Sequence, residues 1–417
     1  MKNKQMRKYS CLITCILTVL FFSAFSQTPS KEKGVFKEYK SGFYQNNILK
    51  SINTVDVNKR QQSPPKYFAF DFKGKEYPTD IEKYKKYWHN NPLSQGRAGT
   101  CWCFATTSFF ETEIFRTTGK KIKISEMFTV YWEYVERAKA FVENRGDVYF
   151  AEGSEAVSVV RIMKLYGVVP SKVYSGLKPG QEFHNHKEMF NEMNQYLVSI
   201  KKNNNWNEAE VIKTIKSILN YYMGIPPEEF EFEGEKYTHQ TFLKNQLKLK
   251  PDNYFSFMST MEIAYNQKGE LVEDDNWWHC DDYYNVSLND FSNIIINSLK
   301  KGYTISICGD VSEPGYDRYA EVGIIPDFDI PLEYINENSR QFRLSNKTTT
   351  DDHCLHIVGY YEMDNKFWFL VKDSGSGGFD GEHKGYRFWS EDYIKLKMMN
   401  ILVHKDGASE ILNKIIK

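Results

Sequence analysis

The sequence has little cysteine, no net charge and no long apolar run, and each shortage excludes a class of protein. Among 417 residues it has seven cysteines, and 54 basic residues are balanced by 54 acidic ones. This balance does not indicate a nucleic-acid partner, which would need a basic surface. The apolar run at residues 11–22 is shorter than the roughly 20 residues that a membrane-spanning helix needs. Internal repeats are lacking, and low complexity is confined to a short Gly/Ser run at residues 374–378.

The first 26 residues have the features of a secretory signal peptide. Basic residues without any acid come first, then the apolar run at residues 11–22, then small residues at Ala24 and Ser26. This order predicts cleavage after Ser26, and retention as a membrane anchor is the alternative. Cleavage would lower the formal net charge from zero to about −4. The mature chain would then have no stable membrane span and would be secreted or periplasmic.

Five cysteines remain after this cleavage: Cys101, Cys103, Cys280, Cys308 and Cys354. An odd number in an oxidising compartment leaves at least one thiol unpaired, and such a thiol is a candidate nucleophile. The first two are one residue too close for a C-x-x-C pattern, so neither a zinc site nor a thioredoxin-type site is expected. Cys103 is expected to be structural. A Cys280–Cys308 disulfide is one of several pairings that the sequence leaves open.

Helical patterns come first in the chain and strand-like patterns later, which is typical of an α+β protein. A polar lead-in covers residues 27–91, and helical periodicity dominates residues 92–300. Runs rich in Ile, Val, Tyr and Phe predict a β-rich lobe at residues 301–403, followed by a tail at residues 404–417. We expect the active site in the cleft between the two lobes.

Residues 94–105 combine the features that a cysteine nucleophile needs. A loop containing Gly and Ala is followed by Cys101, at the first turn of a predicted helix. There, backbone N–H groups and the helix dipole favour an ionised sulfur. Gln95 lies upstream, and the loop can fold its amide back beside the sulfur. With the backbone N–H of Cys101, that amide would stabilise the oxyanion of a tetrahedral intermediate.

The acid–base partner is expected to be His353, at the beginning of a predicted strand. Side chains alternate along a strand, so His353 and His356 face opposite ways and cannot share a metal ion. His356 is therefore expected to be a packing residue. If Tyr361 pairs with Lys366 across the next turn, Asp373 comes back to within about one residue of His353. Asp373 is thus the predicted orienter of the imidazole.

These residues, at this spacing, resemble the papain superfamily of cysteine peptidases. Gln95, followed after five residues by Cys101 and Trp102, is similar to the nucleophile motif of that superfamily, and His353, with Gly-Tyr six residues later, to its histidine motif. Longer stretches resemble one branch, the bleomycin hydrolase and aminopeptidase C family, and they lie at residues 125–141, 165–170, 223–230 and 301–310.

The resemblance implies a papain-like two-lobe fold with a helical lobe, a β-rich lobe, and a cleft between Cys101 and His353. It implies a cysteine peptidase that cleaves peptides or proteins through a thiolate–imidazolium pair, and most of all an aminopeptidase. It also implies that Trp102, Gly153 and Ser154 contact the substrate. No cofactor and no metal ion are implied.

Three features depart from the pattern of this family. The family's orienter is Asn followed by Ser-Trp-Gly, whereas Asp373 is followed by Ser-Gly-Ser, so Trp389 is a candidate for the missing aromatic cover. A carboxylate at this position would favour the charged imidazole. The family's C-terminal arm limits cleavage to the substrate's amino terminus, whereas the tail at residues 404–417 is short. The family is largely intracellular, whereas this chain begins with an export signal.

Two other functions stay open because of these departures. One is a papain-like endopeptidase, and the other is a catalytically inactive homologue that binds peptides. An oligomer is possible, but the family's hexamer is not carried over to this chain, since the tail at residues 404–417 is short for the cleft-filling arrangement.

Overall fold

The structure, a computed structural model, describes residues 32–52 and 66–416. The predicted signal peptide at residues 1–26 lies outside the described residues. The longer helices are α1 Cys101–Thr118, α2 Glu126–Glu143, α3 Ala156–Tyr166, α4 Lys187–Lys202, α5 Glu208–Met223, α6 Leu288–Lys300, α7 Glu337–Ser345, α8 Glu391–Lys397 and α9 Ser409–Ile415. Short helical turns lie at Tyr44–Ile48, Leu49–Ile52, Ile81–Lys83, His239–Thr241, Phe242–Gln246, Pro251–Asn253, Leu332–Tyr334 and Ser376–Phe379.

The strands complete an α+β fold, as predicted. They are β1 Gly34–Glu38, β2 Lys66–Phe70, β3 Lys85–Lys86, β4 Glu229–Phe232, β5 Glu235–Thr238, β6 Tyr254–Met258, β7 Gln267–Gly269, β8 Tyr283–Asn285, β9 Ile305–Gly309, β10 Tyr316–Asp317, β11 Val322–Gly323, β12 His353–Met363, β13 Lys366–Lys372, β14 Tyr386–Ser390 and β15 Met398–His404.

Helix α1 is the central helix of the helical lobe. Most of its residues are buried, and it packs against α2, α3 and β12. Gly119 ends α1 with a φ of 71°, in the left-handed region that glycine adopts without strain. Ser125 then caps α2, because its Oγ accepts a hydrogen bond from the Phe128 N–H at 3.0 Å. These signals fix the position of α1, whose first residue, Cys101, faces the other lobe.

The other lobe contains an 11-stranded mixed sheet. Its order is β10-β11-β14-β13-β12-β9-β15-β6-β8-β7, with β3 added to β12. Strand β12 turns Leu355 and Ile357 to the face that α6 and α8 cover, where they join one apolar core. It turns His356 to the opposite face, against α1. The alternation along β12 therefore joins the sheet to both layers of helices.

The β12–β13 hairpin is longer than the predicted one. Met363, not Tyr361, pairs with Lys366, so the predicted pairing is wrong. Both strands continue to a two-residue turn at residues 364–365, where both residues have positive φ. Such a turn matches the twist of a hairpin, and the sequence Asp-Asn tolerates it. A register shift between residues 357 and 359 then moves the pairing back by one residue.

The sheet also begins earlier in the chain than the lobe boundary predicted at residue 300. Strand β6 pairs with β15, and β8 pairs with β6 in parallel. Helix α6 covers this part of the sheet. The structure therefore corrects the boundary, because a strand's partner is set by long-range pairing that local periodicity does not reveal.

Helix α9, close to the last described residue, lies against α6. His404 is the last residue of β15, and α9 buries Ile411 and Leu412 in the core cluster that contains Phe291 of α6. Lys301 Nζ lies 3.1 Å from a carboxylate oxygen of Glu410. Among residues 32–52 and 66–416, no helix combines the length and the apolarity needed to cross a membrane.

Candidate active site

Cys101 is the first residue of α1 and is partly exposed. The first N–H groups of a helix have no partner in a preceding turn, so the Cys101 N–H remains available to a ligand. The loop before the cysteine is held by Glu152, whose Oε2 accepts a hydrogen bond from the Gly99 N–H at 2.7 Å. The helix start therefore presents both a thiol and a free donor at one point.

His353 begins β12 and faces this thiol. Its Nε2 lies 2.9 Å from Asp373 Oδ1, and its side chain is only 12% exposed. Burial favours the neutral imidazole, but the neighbouring Cys101 sulfur and the Asp373 carboxylate outweigh burial and raise the pKa of His353 well above its usual value. The histidine is therefore held in its charged form between a sulfur and a carboxylate.

Asp373 lies just after β13 and is 3% exposed. Its Oδ1 also accepts a hydrogen bond from the Gly375 N–H at 2.7 Å. Its Oδ2 accepts from the Tyr316 hydroxyl at 3.3 Å and from Arg387 Nε at 3.4 Å. Burial alone would raise its pKa, but His353, Arg387 and the Gly375 N–H lower the pKa to about 2. The carboxylate therefore stays ionised although it is buried.

Gln95 is held by the loop after β13. Its Oε1 accepts a hydrogen bond from Ser374 Oγ at 2.8 Å, and its backbone N–H donates to Ser374 O at 2.9 Å. Its Nε2 donates to Ala98 O at 2.8 Å. An amide nitrogen has two hydrogens, so one N–H of Gln95 remains for a substrate oxygen.

A cavity of about 680 Å³ opens beside His353 and Gln95. Its walls come from β2, from the loop around β10 and from the loop after Asp373, at residues 67–69, 311–314, 316–318 and 375–377. This volume lies in the range of pockets that enclose a ligand of drug size. The structure thus joins Gln95, His353 and Asp373 at one concave surface.

Of the three predicted substrate contacts, two are turned into the protein and one is partly exposed. Trp102 is completely buried in the helical lobe, and its indole N–H donates to Glu152 O at 3.2 Å. The prediction for Trp102 is corrected, because a buried ring cannot touch a substrate; it supports the segment at residue 152 instead. Ser154 also turns inward, since its Oγ donates to Glu133 Oε1 at 2.8 Å. Gly153 remains partly exposed.

The other sulfur atoms have structural surroundings. Cys308 and Cys354 face each other on β9 and β12 and form a disulfide, so the alternative pairing with Cys280 is wrong. Cys103 is buried, and burial raises the pKa of its thiol well above the usual value. Asp351 lies near the disulfide, but cysteines joined to each other offer no thiolate to a metal ion.

His356 has a packing role, since Ser108 Oγ lies 2.9 Å from its Nδ1. The sequence reasoning missed Tyr316 and Arg387, which hold the second oxygen of Asp373. A signal existed for Arg387 alone: it interrupts the apolar strand β14, and a charged residue is rarely fully buried unless it is paired. Trp389, the predicted cover, is buried and contacts the ring of Tyr316, whose hydroxyl donates to Asp373 Oδ2.

The family model described as Peptidase C1-like family matches residues 150–417. Aminopeptidase C of Lactobacillus delbrueckii subsp. lactis is 25% identical over 374 residues, with 77% of this chain and 81% of that protein covered. Aminopeptidase C of Lactococcus lactis subsp. cremoris is 23% identical over 384 residues, with 80% and 84% covered.

Solved structures support the fold. The crystal structure of PepW from Lactobacillus rhamnosis HN001 is similar with a TM-score of 0.66 and 19% identity, over 81% of this chain and 85% of that one. The papain-like fold and the thiol–imidazole geometry agree with the family match. This chain therefore belongs to the Peptidase C1-like family and is a cysteine peptidase.

Proposed function

We propose that this chain is an exported aminopeptidase that removes residues from the amino terminus of peptides by a thiolate–imidazolium mechanism. The observation that carries the proposal is the position of His353 between the Cys101 thiol and Asp373. The similarity to two aminopeptidases C over most of the chain supports the exopeptidase activity.

The first half of the reaction transfers an acyl group to the enzyme. The Cys101 thiolate attacks the scissile carbonyl carbon, and the negative charge moves to the carbonyl oxygen. The free N–H of Gln95 and the backbone N–H of Cys101 are the donors that can stabilise this oxyanion. His353 then gives its proton to the leaving amine, so the C–N bond breaks and an acyl-thioester remains.

The second half restores the enzyme. Neutral His353 takes a proton from water, the resulting hydroxide attacks the thioester, and the Cys101 thiolate leaves. The proton stays on the imidazole, so the original pair is re-formed. Asp373 Oδ1 holds the imidazole ring of His353 in position by its contact with His353 Nε2 in both halves of the reaction.

The test compares Cys101→Ala and Cys103→Ala on fluorogenic peptides. Cys101→Ala is expected to lose hydrolysis, whereas Cys103→Ala keeps it, because Cys103 Sγ is buried in the core beside Glu126 O and Thr107 Oγ1. Equal hydrolysis by the wild type and Cys101→Ala would refute the peptidase mechanism. Faster cleavage of free than of acetylated amino termini is the expected sign of an aminopeptidase.

An endopeptidase is the second candidate, and one observation favours it. The C-terminal helix α9 packs on α6, and its buried residues contribute to the core there. Residues 409–416 contribute none of the residues that line the cavity beside His353. Cleavage of acetylated peptides at least as fast as free ones would favour this function.

Export is tested by determining the first residue of the mature protein. The protein recovered from outside the cytoplasm is expected to begin at Gln27. Recovery of a chain that retains residues 1–26 from the cytoplasmic fraction alone would contradict export.

A further inference from the structure

Two carboxylates, Glu155 and Asp351, meet at one buried amide close to Cys101. Asn400 Nδ2 donates to Glu155 Oε2 at 3.2 Å and to Asp351 Oδ2 at 2.9 Å. Glu155 is at the start of α3, next to the Gly153–Ser154 segment, and Asp351 precedes His353 by two residues. Glu152, three residues before Glu155, accepts a hydrogen bond from the Gly99 N–H at 2.7 Å, so the segment before α3 lies beside the loop that carries Cys101.

Further acidic residues surround this pair. Asp275 and Glu273 are the charged groups that act most strongly on Glu155. Asp275 has a counter-charge, because Arg137 Nη2 lies 3.8 Å from its Oδ1, and Lys347 acts on Glu273. In the described part of the chain, none of the ion pairs includes Glu155 or Asp351. Asp275 and Glu273 therefore have positively charged neighbours, whereas Glu155 and Asp351 take part in no ion pair of the described residues.

Asn400 gives a second, independent indication of a binding site. It is 1% exposed and points its amide nitrogen at both carboxylates, yet among the described residues its Oδ1 has no hydrogen-bond partner. Buried polar atoms are nearly always partnered. Burial, and then the neighbouring acids, raise the pKa of both Glu155 and Asp351. Among residues 32–52 and 66–416, the side chains around Glu155 and Asp351 therefore offer acceptors but no positively charged hydrogen-bond donor.

We propose that Glu155, Asp351 and Asn400, here called the acidic subsite, bind a protonated amino group of the substrate on the amino-terminal side of the scissile bond. This inference rests on the proposed function. An ammonium group has three N–H donors for the carboxylates, and it brings the positive charge that no ion pair among the described side chains supplies to them. The leaving amine must meet His353, whose cavity of about 680 Å³ is not lined by either carboxylate.

Two parts of a peptide can supply this ammonium group. The α-amino group of the first residue is one Cα away from the scissile carbonyl carbon, so it must lie close to Cys101. The side chain of a lysine one residue before the scissile residue is the other source. The α-amino group would make the acidic subsite the element that selects free amino termini, in a chain whose tail lies on α6.

The experiment uses Glu155→Gln and Asp351→Asn, with Asp274→Asn as the matched control. Both substitutions keep the shape and the oxygen that Asn400 binds, and Asp274 is an exposed acid of the same region. Each variant is assayed on leucyl-coumarylamide with a free amino group, and on acetyl-Leu-Leu-coumarylamide and acetyl-Lys-Leu-coumarylamide. The rate of Cys101 alkylation by iodoacetamide, a small neutral reagent, reports thiol reactivity in the folded protein.

The inference expects kcat/KM to fall by at least about tenfold for substrates with an ammonium group. Alkylation and cleavage of acetyl-Leu-Leu-coumarylamide should fall by much less, since neither requires an ammonium group to be bound. A loss on the free amino acid substrate identifies the α-amino group, and a loss on the lysine substrate identifies the side chain.

Three results would overturn the inference. They are an equal loss on charged and neutral substrates, a matching fall in the alkylation rate, or no loss in either variant. All three differ from failure of the proposed function, in which the wild type and Cys101→Ala would hydrolyse every substrate equally.

Discussion

Arg387 Nε lies 3.4 Å from Asp373 Oδ2, the carboxylate oxygen that His353 does not use. Both residues are buried, and Arg387 is completely so. Together with His353, the guanidinium gives the buried carboxylate two cationic neighbours. This explains how Asp can stand where the family has Asn, because an extra negative charge needs an extra positive one inside the protein.

Replacing this guanidinium should destabilise the fold. We expect Arg387→Met to lower the free energy of unfolding by about 3–5 kcal/mol, since it leaves a buried carboxylate with one cation fewer. Denaturant titration at pH 7 measures this loss. The double variant Asp373→Asn/Arg387→Met is the control, because a neutral amide does not need the cation. It should be more stable than Arg387→Met alone, and strict additivity of the two single losses would contradict the pairing.

The pH dependence of hydrolysis should report the Asp373 carboxylate. His353 must be protonated to give its proton to the leaving amine, and its raised pKa keeps it protonated to a high pH. In Asp373→Asn the carboxylate is lost, so the alkaline limb of kcat/KM should move down by about one pH unit or more. Glu321→Gln is a matched control, because Glu321 Oε2 lies 2.6 Å from His383 Nδ1 in another buried pair. An unmoved limb in Asp373→Asn would refute this role.

The stability that Asp373→Asn loses should depend on pH in the acidic range, whereas the effect on hydrolysis appears in the alkaline range. The folded pKa of Asp373, about 2, is below its ordinary value of 3.8. A depressed carboxyl pKa stabilises the folded state above the unfolded pKa, and this stabilisation is lost as the pH falls through the folded value. The difference in unfolding free energy between the wild type and Asp373→Asn should therefore be largest above pH 4 and shrink towards pH 2. A difference that stays constant from pH 6 to pH 2 would contradict the depressed pKa.

Gln95 should act on the rate of the chemical step rather than on substrate binding. We expect Gln95→Ala to lower kcat by about 10² to 10³ with little change in KM, since the oxyanion forms only during the reaction. Ser374→Ala should give a smaller loss, because it removes only the hydroxyl that holds Gln95 Oε1. Steady-state kinetics measures both. A Gln95→Ala variant with a raised KM and unchanged kcat would exclude the oxyanion role.

Local signals in the sequence predicted much of the fold and of the site. Gly119 and Ser125 mark helix ends by their own conformation and hydrogen bonding, so they can be read without knowing the partner. The nucleophile and histidine motifs also predicted which residues meet, although they are far apart in the chain. The structure places the His353 imidazole beside the Cys101 side chain.

Long-range relationships could not be read in the same way. The partner of Asp373 Oδ2 is Arg387, and nothing at either position specifies that the two side chains share a buried space. The Cys308–Cys354 disulfide depends on the pairing of β9 with β12, which local patterns do not fix. Trp102 was misassigned because its position beside the nucleophile says nothing about the direction of its ring. Such features follow from packing between segments, and their physical cause appears only in the folded chain.

The last prediction concerns the Cys308–Cys354 disulfide, which joins two neighbouring strands. It closes a span of 46 residues, and both cysteines are buried, with 0% and 4% exposure. We expect Cys308→Ala/Cys354→Ala to lower the free energy of unfolding by about 2–4 kcal/mol, with Cys280→Ala as the control that leaves it nearly unchanged.

Because the Cys308–Cys354 bond is buried, a mild thiol should keep Cys101 reduced and active without opening this disulfide. Mass spectrometry after alkylation of the native protein should then find Cys101 modified and Cys308 and Cys354 still joined, and modification of these two together with Cys101 would show that the disulfide is not protected.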